Sequence, residues 1–451
     1  MTSKDAQKRT CLAIVLAAGQ SKRMRSDRPK VLHELAGRSL LAHVLASVGA
    51  AGAERVALVV GPSHDDVVKE AKSIAPDIDV FVQSPALGTA HAVLAAKAAI
   101  AEGYDDILVA FGDTPLVQPE TFARLRTGLS APGRAVAALG FLASDPRGYG
   151  RLIQEGDTLI AIREDRDLRN DEGEILFCNA GLMAISGATA LPLLESIGAA
   201  NAQGEFYLTD IVAAARRDGL SAVAIDAPEE EVLGINDRQQ LAVAEAVLQD
   251  RLKAYAMRGG VTFVDPSRVQ LSYDTTFGRD VLIEPDVFFG PGVKVGDGVT
   301  IRSFSHLTGA EIGPRCIIGP FARLRPGTVL AEDVHIGNFV EVKASVLAAG
   351  VKANHLAYIG DASIGAKTNV GAGVITCNYD GFAKFRTEIG DGVFVGVNSA
   401  LVAPVKIGDG AYIGTGSVIT ETVEPDALAL ARSHQVQKPG WAKAFRDKQK
   451  K

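Results

Sequence analysis

The feature that most constrains this chain is a six-residue rhythm in its second half. Aliphatic side chains return at Val281, Val287, Val293 and Val299, at Ile312, Ile318, Leu324, Leu330, Ile336 and Val342, and at Ile389, Val395, Leu401, Ile407, Ile413 and Ile419. An α-helix, with 3.6 residues per turn, does not repeat on six. A solenoid does: each short strand turns one aliphatic residue inward and a small residue rounds the corner, so identical coils stack. The rhythm therefore predicts a left-handed parallel β-helix of hexapeptide repeats. It also accounts for 47 glycines, many of them at the corners, as in VKVGDG and AYIGTG. The period breaks between Thr376 and Ile389, where CNYDGFAKFRTE intrudes. A polar, aromatic insertion in a strict repeat is expected to be a loop on one face, and a functional one.

The first half obeys a different grammar. CLAIVLAAG, ERVALVVG, DILVAFGDTP and AVAALGF are short apolar runs closed by Gly, Pro or Asp, and helical patterns such as SLLAHVLASVGAAG and GTAHAVLAAKAAIAEG separate them. Such alternation predicts an α/β domain whose mixed, mostly parallel sheet is covered on both faces, with ligands at the carboxyl ends of the strands. An alanine-rich amphipathic stretch, 237–258, follows. Asn236 or Asp237 is its N-cap candidate and Gly259–Gly260 its stop, so it reads as a connecting helix between domains at 1–236 and 259–451.

Composition removes several function classes. A net charge of −6 supplies no field to hold nucleic acid or an anionic membrane. Cys11, Cys178, Cys316 and Cys377 form no C-x-x-C pair, which argues against a zinc site or disulfide framework and fits a reducing compartment. The basic start MTSKDAQKRT leads into an apolar run too short for a signal peptide. A cytoplasmic protein is expected.

The chemistry-bearing motifs come in two groups. Directly after the first strand stands Leu16-Ala17-Ala18-Gly19, then Arg23-Met24 and Pro29-Lys30. A glycine at a strand end lets backbone N–H groups approach a ligand, and the cations downstream can neutralise phosphates. This L-A-A-G-x-x-x-R-M-x-x-x-x-P-K string resembles the signature of sugar-1-phosphate nucleotidyltransferases, and identifies the front half as a Rossmann-like nucleotidyltransferase domain. By that resemblance Gln83, Gly88 and Thr89 read the uracil of UTP, while Asp113 in FGDTP and Asn236 in GINDR hold Mg²⁺. Gly150, Glu164, Asn179, Tyr207 and Thr209, with Asn236, hold the acetamido sugar, and Arg23 and Lys30 neutralise the triphosphate.

In the solenoid, FARLRPG, GNFVEVK, NHLAYIGD, ITCNYDG and LARSH together are similar, almost word for word, to the acetyltransferase half of a bacterial bifunctional family. That family joins glucosamine-1-phosphate acetylation to uridylyl transfer, and the resemblance spans the chain from Leu12 to about Lys443. It implies His355 as general base with Glu341 orienting it, and Arg325, Lys343, Tyr358, Asn369 and Lys384 on the sugar phosphate. Ala372, Asn378, Tyr379, Val397, Thr415 and Arg432 would meet acetyl-CoA, with Asn378 and Tyr379 also against the sugar. Val397 stands where many members carry serine, and Gly414 where they carry alanine. Arg325 and Lys343 are eighteen apart, one coil of three hexads, so they should stack as a cationic clamp. The family associates as homotrimers with acetyl-transfer sites between subunits, the 378–384 loop being the natural one to reach across, and its product, UDP-N-acetylglucosamine, feeds peptidoglycan and lipopolysaccharide synthesis. A related enzyme with a merely oligomerising solenoid would lack N-H-L-x-Y and C-N-Y-D-G. A non-catalytic assembly subunit would have lost Arg23, Lys30 or Asp113, and all three are present.

Overall fold

The computed structural model describes residues 9–19 and 22–450, so Gln20 and Ser21 of the first motif and most of the basic N-terminal segment lie outside the described residues. The chain divides into two compact units that meet inside the long helix, at Leu248 and Gln249.

In the first unit the strand Cys11–Ala17 lies at the heart of a sheet, and the alternation of its side chains explains why all seven residues are apolar. Leu12, Ile14 and Leu16 enter the core on one face; Cys11, Ala13, Val15 and Ala17 enter the core on the other. The sheet order is Ser221–Asp226, Arg134–Leu142, Phe177–Ser186, Asp106–Phe111, Cys11–Ala17, Arg55–Val60, Asp79–Val82. Along this order pairing is parallel except at Phe177–Ser186, which runs antiparallel to both neighbours; the antiparallel hairpin Arg151–Glu155 and Thr158–Arg163 joins the same sheet through Phe177–Ser186. The helices Thr89–Ala95, Gly187–Glu195 and Ile211–Arg217 pack on one face, and Leu40–Ala50, Asp65–Ile74 and Pro119–Gly128 on the other. Ser39 caps Leu40–Ala50 by accepting from Ala42 N at 3.2 Å. The long helix runs Arg238–Arg258, and of its two N-cap candidates Asp237 fills the role, its carboxylate accepting from the backbone of Gln239 and Gln240, each at 2.9 Å.

The second unit is the solenoid. Its strands, two to four residues long, stack into three wholly parallel sheets of ten, nine and eight strands, one from each side of every coil. Every aliphatic position of the six-residue rhythm is buried in one continuous core. Between the first coil and the last, ladder partners are seventeen or eighteen residues apart, as in Leu324 opposite Val342, except where the insertion stretches the spacing to twenty-five, as in Val370 opposite Val395. The inserted loop leaves the core register intact: Ile364 still faces Ile389.

Candidate active sites

The carboxyl ends of the strands in the first unit open into two clefts. One, about 630 Å³, is lined by Leu16, Ala17, Ala18, Gly19, Lys30, Gln83, Gly88, Thr89 and Asp113. The other, about 660 Å³, is lined by Arg23, Asp113, Gly150, Glu164, Asn179 and Asn236. Asp113 lines both, so the carboxylate just beyond Asp106–Phe111 stands where the two clefts meet. Arg23 lies in the second cleft, away from the nucleotide residues with which the motif groups it. Sequence reasoning missed several walls: Gly61 and His64 in the first cleft, Tyr149 and Arg147 in the second. Gly61 alone was findable, since it closes the strand Arg55–Val60 as Gly19 follows the first.

The first cleft is built around a glycine. Gly88 has φ +119°, and a Cβ there would lie 2.5 Å from the carbonyl oxygen of Phe206. That close approach lets Phe206 N donate to Leu87 O at 2.8 Å and lets Ala90 N donate back to Phe206 O at 2.9 Å. Thr89 Oγ1 accepts from Leu208 N at 2.9 Å, tying 206–208 to the cleft wall. Gln83, buried, donates its amide to Gly88 O at 3.0 Å, and no described residue donates to its carbonyl oxygen.

At the junction Ile235 N donates to Asp113 O at 3.0 Å, which sets Asn236 beside Asp113. The Lys30 ammonium donates to Asn236 Oδ1 at 2.9 Å and to the Asp113 carboxylate. Among the described residues no cluster of three or more His, Cys, Asp or Glu could hold a metal. A carboxylate plus an amide carbonyl nonetheless suits magnesium, which takes oxygen ligands, keeps several waters and completes its shell from substrate phosphates. The ammonium now sits between those two oxygens, as a cation of the chain's own.

In the second cleft Glu164 accepts from Thr209 Oγ1 at 3.0 Å. Burial pushes the Glu164 carboxyl above its ordinary range; the Thr209 hydroxyl opposes this, and the carboxylates of Asp210, Asp167 and Asp165 add to it. Asn179 is held by its N–H, which donates to Gly150 O at 2.8 Å. Thr209 and Tyr207 do not line this cleft. Thr209 acts through Glu164, and Tyr207 is buried with its hydroxyl donating to Gln203 at 2.8 Å.

On the solenoid the candidates fall into separate groups. Arg325 follows Leu324 and Lys343 follows Val342 in paired strands of one sheet, so the two cations do occupy one face in successive coils. The Lys384 ammonium, with burial and Arg325 adding to it, holds Lys343 below its usual value, while Asp361 opposes. The loop places the Lys384 ammonium beside Lys343 of the same chain. Asn378, buried, donates to Tyr358 Oη at 3.4 Å and to Asp361. Tyr379 is exposed and donates to Gly381 O at 2.6 Å.

A second column follows another corner. Gly373 N donates to Leu356 O, Asn398 N to Ala372 O and Gly416 N to Val397 O at 3.1, 2.8 and 2.9 Å, and the Arg432 guanidinium donates to Thr415 O at 2.8 Å. His355, Ala372, Val397, Thr415 and Arg432 thus follow one edge of the stack, with Asn369 on the strand just before Ala372. Within this chain Glu341 does not orient His355. Its carboxylate accepts from Arg325 Nη1 at 2.7 Å and Arg323 Nη1 at 3.3 Å, because strand pairing sets it against the arginine face. The group bonded to His355 Nδ1 is Asn338 Oδ1, at 2.8 Å.

Comparison with known proteins agrees with both halves. A family model described as a MobA-like NTP transferase domain matches residues 13–260, and one described as bacterial transferase hexapeptide matches 274–309, 309–344 and 386–421. A protein of Azorhizobium caulinodans named bifunctional protein GlmU is 60% identical over 438 residues, covering 97% of this chain and 98% of that one. Proteins of the same name from Xanthobacter autotrophicus and a Bradyrhizobium species are 61% and 58% identical, each over 97% of this chain and 98% of their own. The chain belongs to the bifunctional GlmU family. As a GlmU-family chain it shows how one of its departures is accommodated. A Cβ on Gly414 would lie 2.1 Å from Leu430 Cδ2, so the leucine's terminal methyl fills the space that alanine would occupy. Val397, where a hydroxyl is absent, is 41% exposed at the edge of the column. Among the described residues no helix is long and apolar enough to cross a membrane.

Proposed function

We propose that this chain acetylates glucosamine 1-phosphate with acetyl-CoA and transfers UMP from UTP to the product, giving UDP-N-acetylglucosamine and pyrophosphate. The observation that carries this reading is the pair of clefts meeting at Asp113, on one chain with a solenoid bearing a histidine-led column and an Arg325–Lys343–Lys384 patch.

In acetyl transfer the sugar amine attacks the thioester carbonyl carbon and the C–S bond breaks, while His355 takes the amine's proton and passes it to the departing CoA thiolate, which leaves as thiol. An imidazole has an unperturbed pKa of ~6.5, which suits that task near neutrality. Arg325, Lys343 and Lys384 crowd like charges together, an arrangement that a phosphate dianion relieves; Tyr358, Asn369 and Asn378 surround the sugar. Ala372, Tyr379, Val397, Thr415 and Arg432 meet acetyl-CoA. In uridylyl transfer an already ionised phosphate oxygen attacks the α-phosphorus of UTP, and the bond to the β-phosphate oxygen breaks. No base is needed, so alignment and charge neutralisation are the chain's task. Asp113 and Asn236 would hold Mg²⁺, which supplies charge neutralisation on the reacting phosphates. Backbone at Leu16–Gly19 and the Gln83, Gly88 and Thr89 wall seat the nucleotide, while Gly150, Glu164 and Asn179 seat the N-acetylated sugar. Lys30 and Arg23 supply the remaining positive charge. The working assembly is a homotrimer in the cytoplasm.

The test is product formation from glucosamine 1-phosphate, acetyl-CoA, UTP and Mg²⁺ with each omitted in turn. UDP-N-acetylglucosamine and pyrophosphate should appear only in the complete mixture, whereas free CoA should still form when UTP or Mg²⁺ is omitted. Product formed only when N-acetylglucosamine 1-phosphate is supplied would reduce the solenoid to a scaffold. Asp113→Ala should abolish uridylyl transfer and spare acetyl transfer, and His355→Ala should do the reverse; loss of both activities in either variant would refute separate sites.

A further inference from the structure

His355 sits on the solenoid's edge facing a groove of about 320 Å³ that none of the motifs explains. Its walls include Arg302, Pro320, His335, Gly337, Asn338 and Asn354. The strands His335–Asn338 and Lys352–His355 that form its floor are four residues long, where most solenoid strands have two or three, and they pair in register with Asn338 opposite His355. A Cβ on Gly337 would lie 1.9 Å from the backbone oxygen of Asn354, so only glycine allows the two strands to meet this closely. Leu356 N then donates to Asn338 O at 3.0 Å, fixing the backbone on both sides of the histidine. Across this pairing Asn338 Oδ1 lies 2.8 Å from His355 Nδ1.

A neutral imidazole carries one N–H, and which nitrogen bears it is decided by the bond that the other environment offers. We propose that Asn338 is a positioning residue for acetyl transfer: its amide oxygen takes the Nδ1 hydrogen of His355 and leaves the lone pair on Nε2, ready for the substrate's proton. The role expected of Glu341 thus passes to a neutral amide. The choice has a chemical consequence: a carboxylate at this place would favour the protonated imidazolium, whereas an amide holds the ring without favouring its charged form. This inference rests on the reading of His355 as the base.

The experiment compares the parent with His355→Ala, Asn338→Leu and Asn338→Asp in the full-length protein at alkaline pH. Acetyl transfer is resolved into kcat and KM, uridylyl transfer serves as the measure of intact protein, and ¹⁵N-labelled histidine reports the tautomer of residue 355. Asn338→Leu should lower kcat for acetyl transfer about tenfold or more, a part of what a general base contributes. KM should barely move, and the ring should shift toward the Nε2–H form. Asn338→Asp, which keeps an acceptor oxygen, should restore both the rate and the Nδ1–H form. An Asn338→Leu protein with wild-type kcat, or a slowed one whose tautomer is unchanged, overturns the proposal while leaving His355 as the base. Retained acetylation in His355→Ala removes the base itself, and the role of Asn338 with it.

Discussion

Lys30→Met is the sharpest probe of the uridylyl-transfer centre, because it predicts a gain as well as a loss. The Lys30 ammonium bridges Asp113 and Asn236, with the Lys30 and Asp113 side chains mostly shielded from solvent, 14% and 21% exposed. A cation entering between those oxygens must first displace it. A hydrogen bond to a charged group is worth about 1.5–3 kcal/mol net. At 1.4 kcal/mol per factor of ten, the variant should bind a divalent ion without nucleotide about 10- to 100-fold more tightly than the parent. The assay is a Mn²⁺ titration followed by the electron paramagnetic resonance of the free ion, with no UTP present. The same variant should bind UTP more weakly, having lost a phosphate-neutralising charge. Equal or weaker Mn²⁺ affinity would refute the reasoning, since it would mean that the ammonium does not compete for the metal's place.

Two further substitutions test the walls of the clefts. Glu164 holds its proton more tightly folded than unfolded, so its contribution to stability declines as pH rises from the ordinary carboxylate range through its raised folded value. Glu164→Gln should therefore gain on the parent in melting temperature as pH rises to neutrality, while KM for N-acetylglucosamine 1-phosphate increases; a melting difference independent of pH would contradict this. Gly88→Ala places a Cβ 2.5 Å from a backbone oxygen at φ +119°. It should cost about 1–3 kcal/mol of local strain and raise KM for UTP, with acetyl transfer unchanged as the internal control.

The parts of this molecule that were legible in advance are those where one residue answers to one constraint. Val395 or Ile413 can only be a buried solenoid rung, and the apolar strand Cys11–Ala17 can only lie between two cores, so both folds followed from pattern alone. Glycines at strand ends likewise marked the first cleft. What pattern could not supply was pairing between distant side chains. Nothing in the spacing of Glu341 and His355 says that strand register turns the glutamate toward Arg323 and Arg325 and gives the histidine to Asn338 instead. Arg23 shows the same limit at shorter range: seven residues from Lys30 in sequence, it lines the other cleft. The expected roles of Tyr207 and Thr209 depended on which way a loop presents them, and a motif match carries no such direction.

The insertion after Thr376 separates two kinds of constraint. Each coil must present its aliphatic rungs in step with its neighbours, yet the path between two rungs is free in length, and here it takes seven extra residues without moving Ile364 off Ile389. A scaffold of this kind lets new chemistry be spliced in at a corner while the load on the core stays constant. Selection on the loop that carries Asn378 and Lys384 can then proceed almost independently of selection on stability, and changes of substrate in such a protein should arise by lengthening or rewriting corners rather than by repacking rungs.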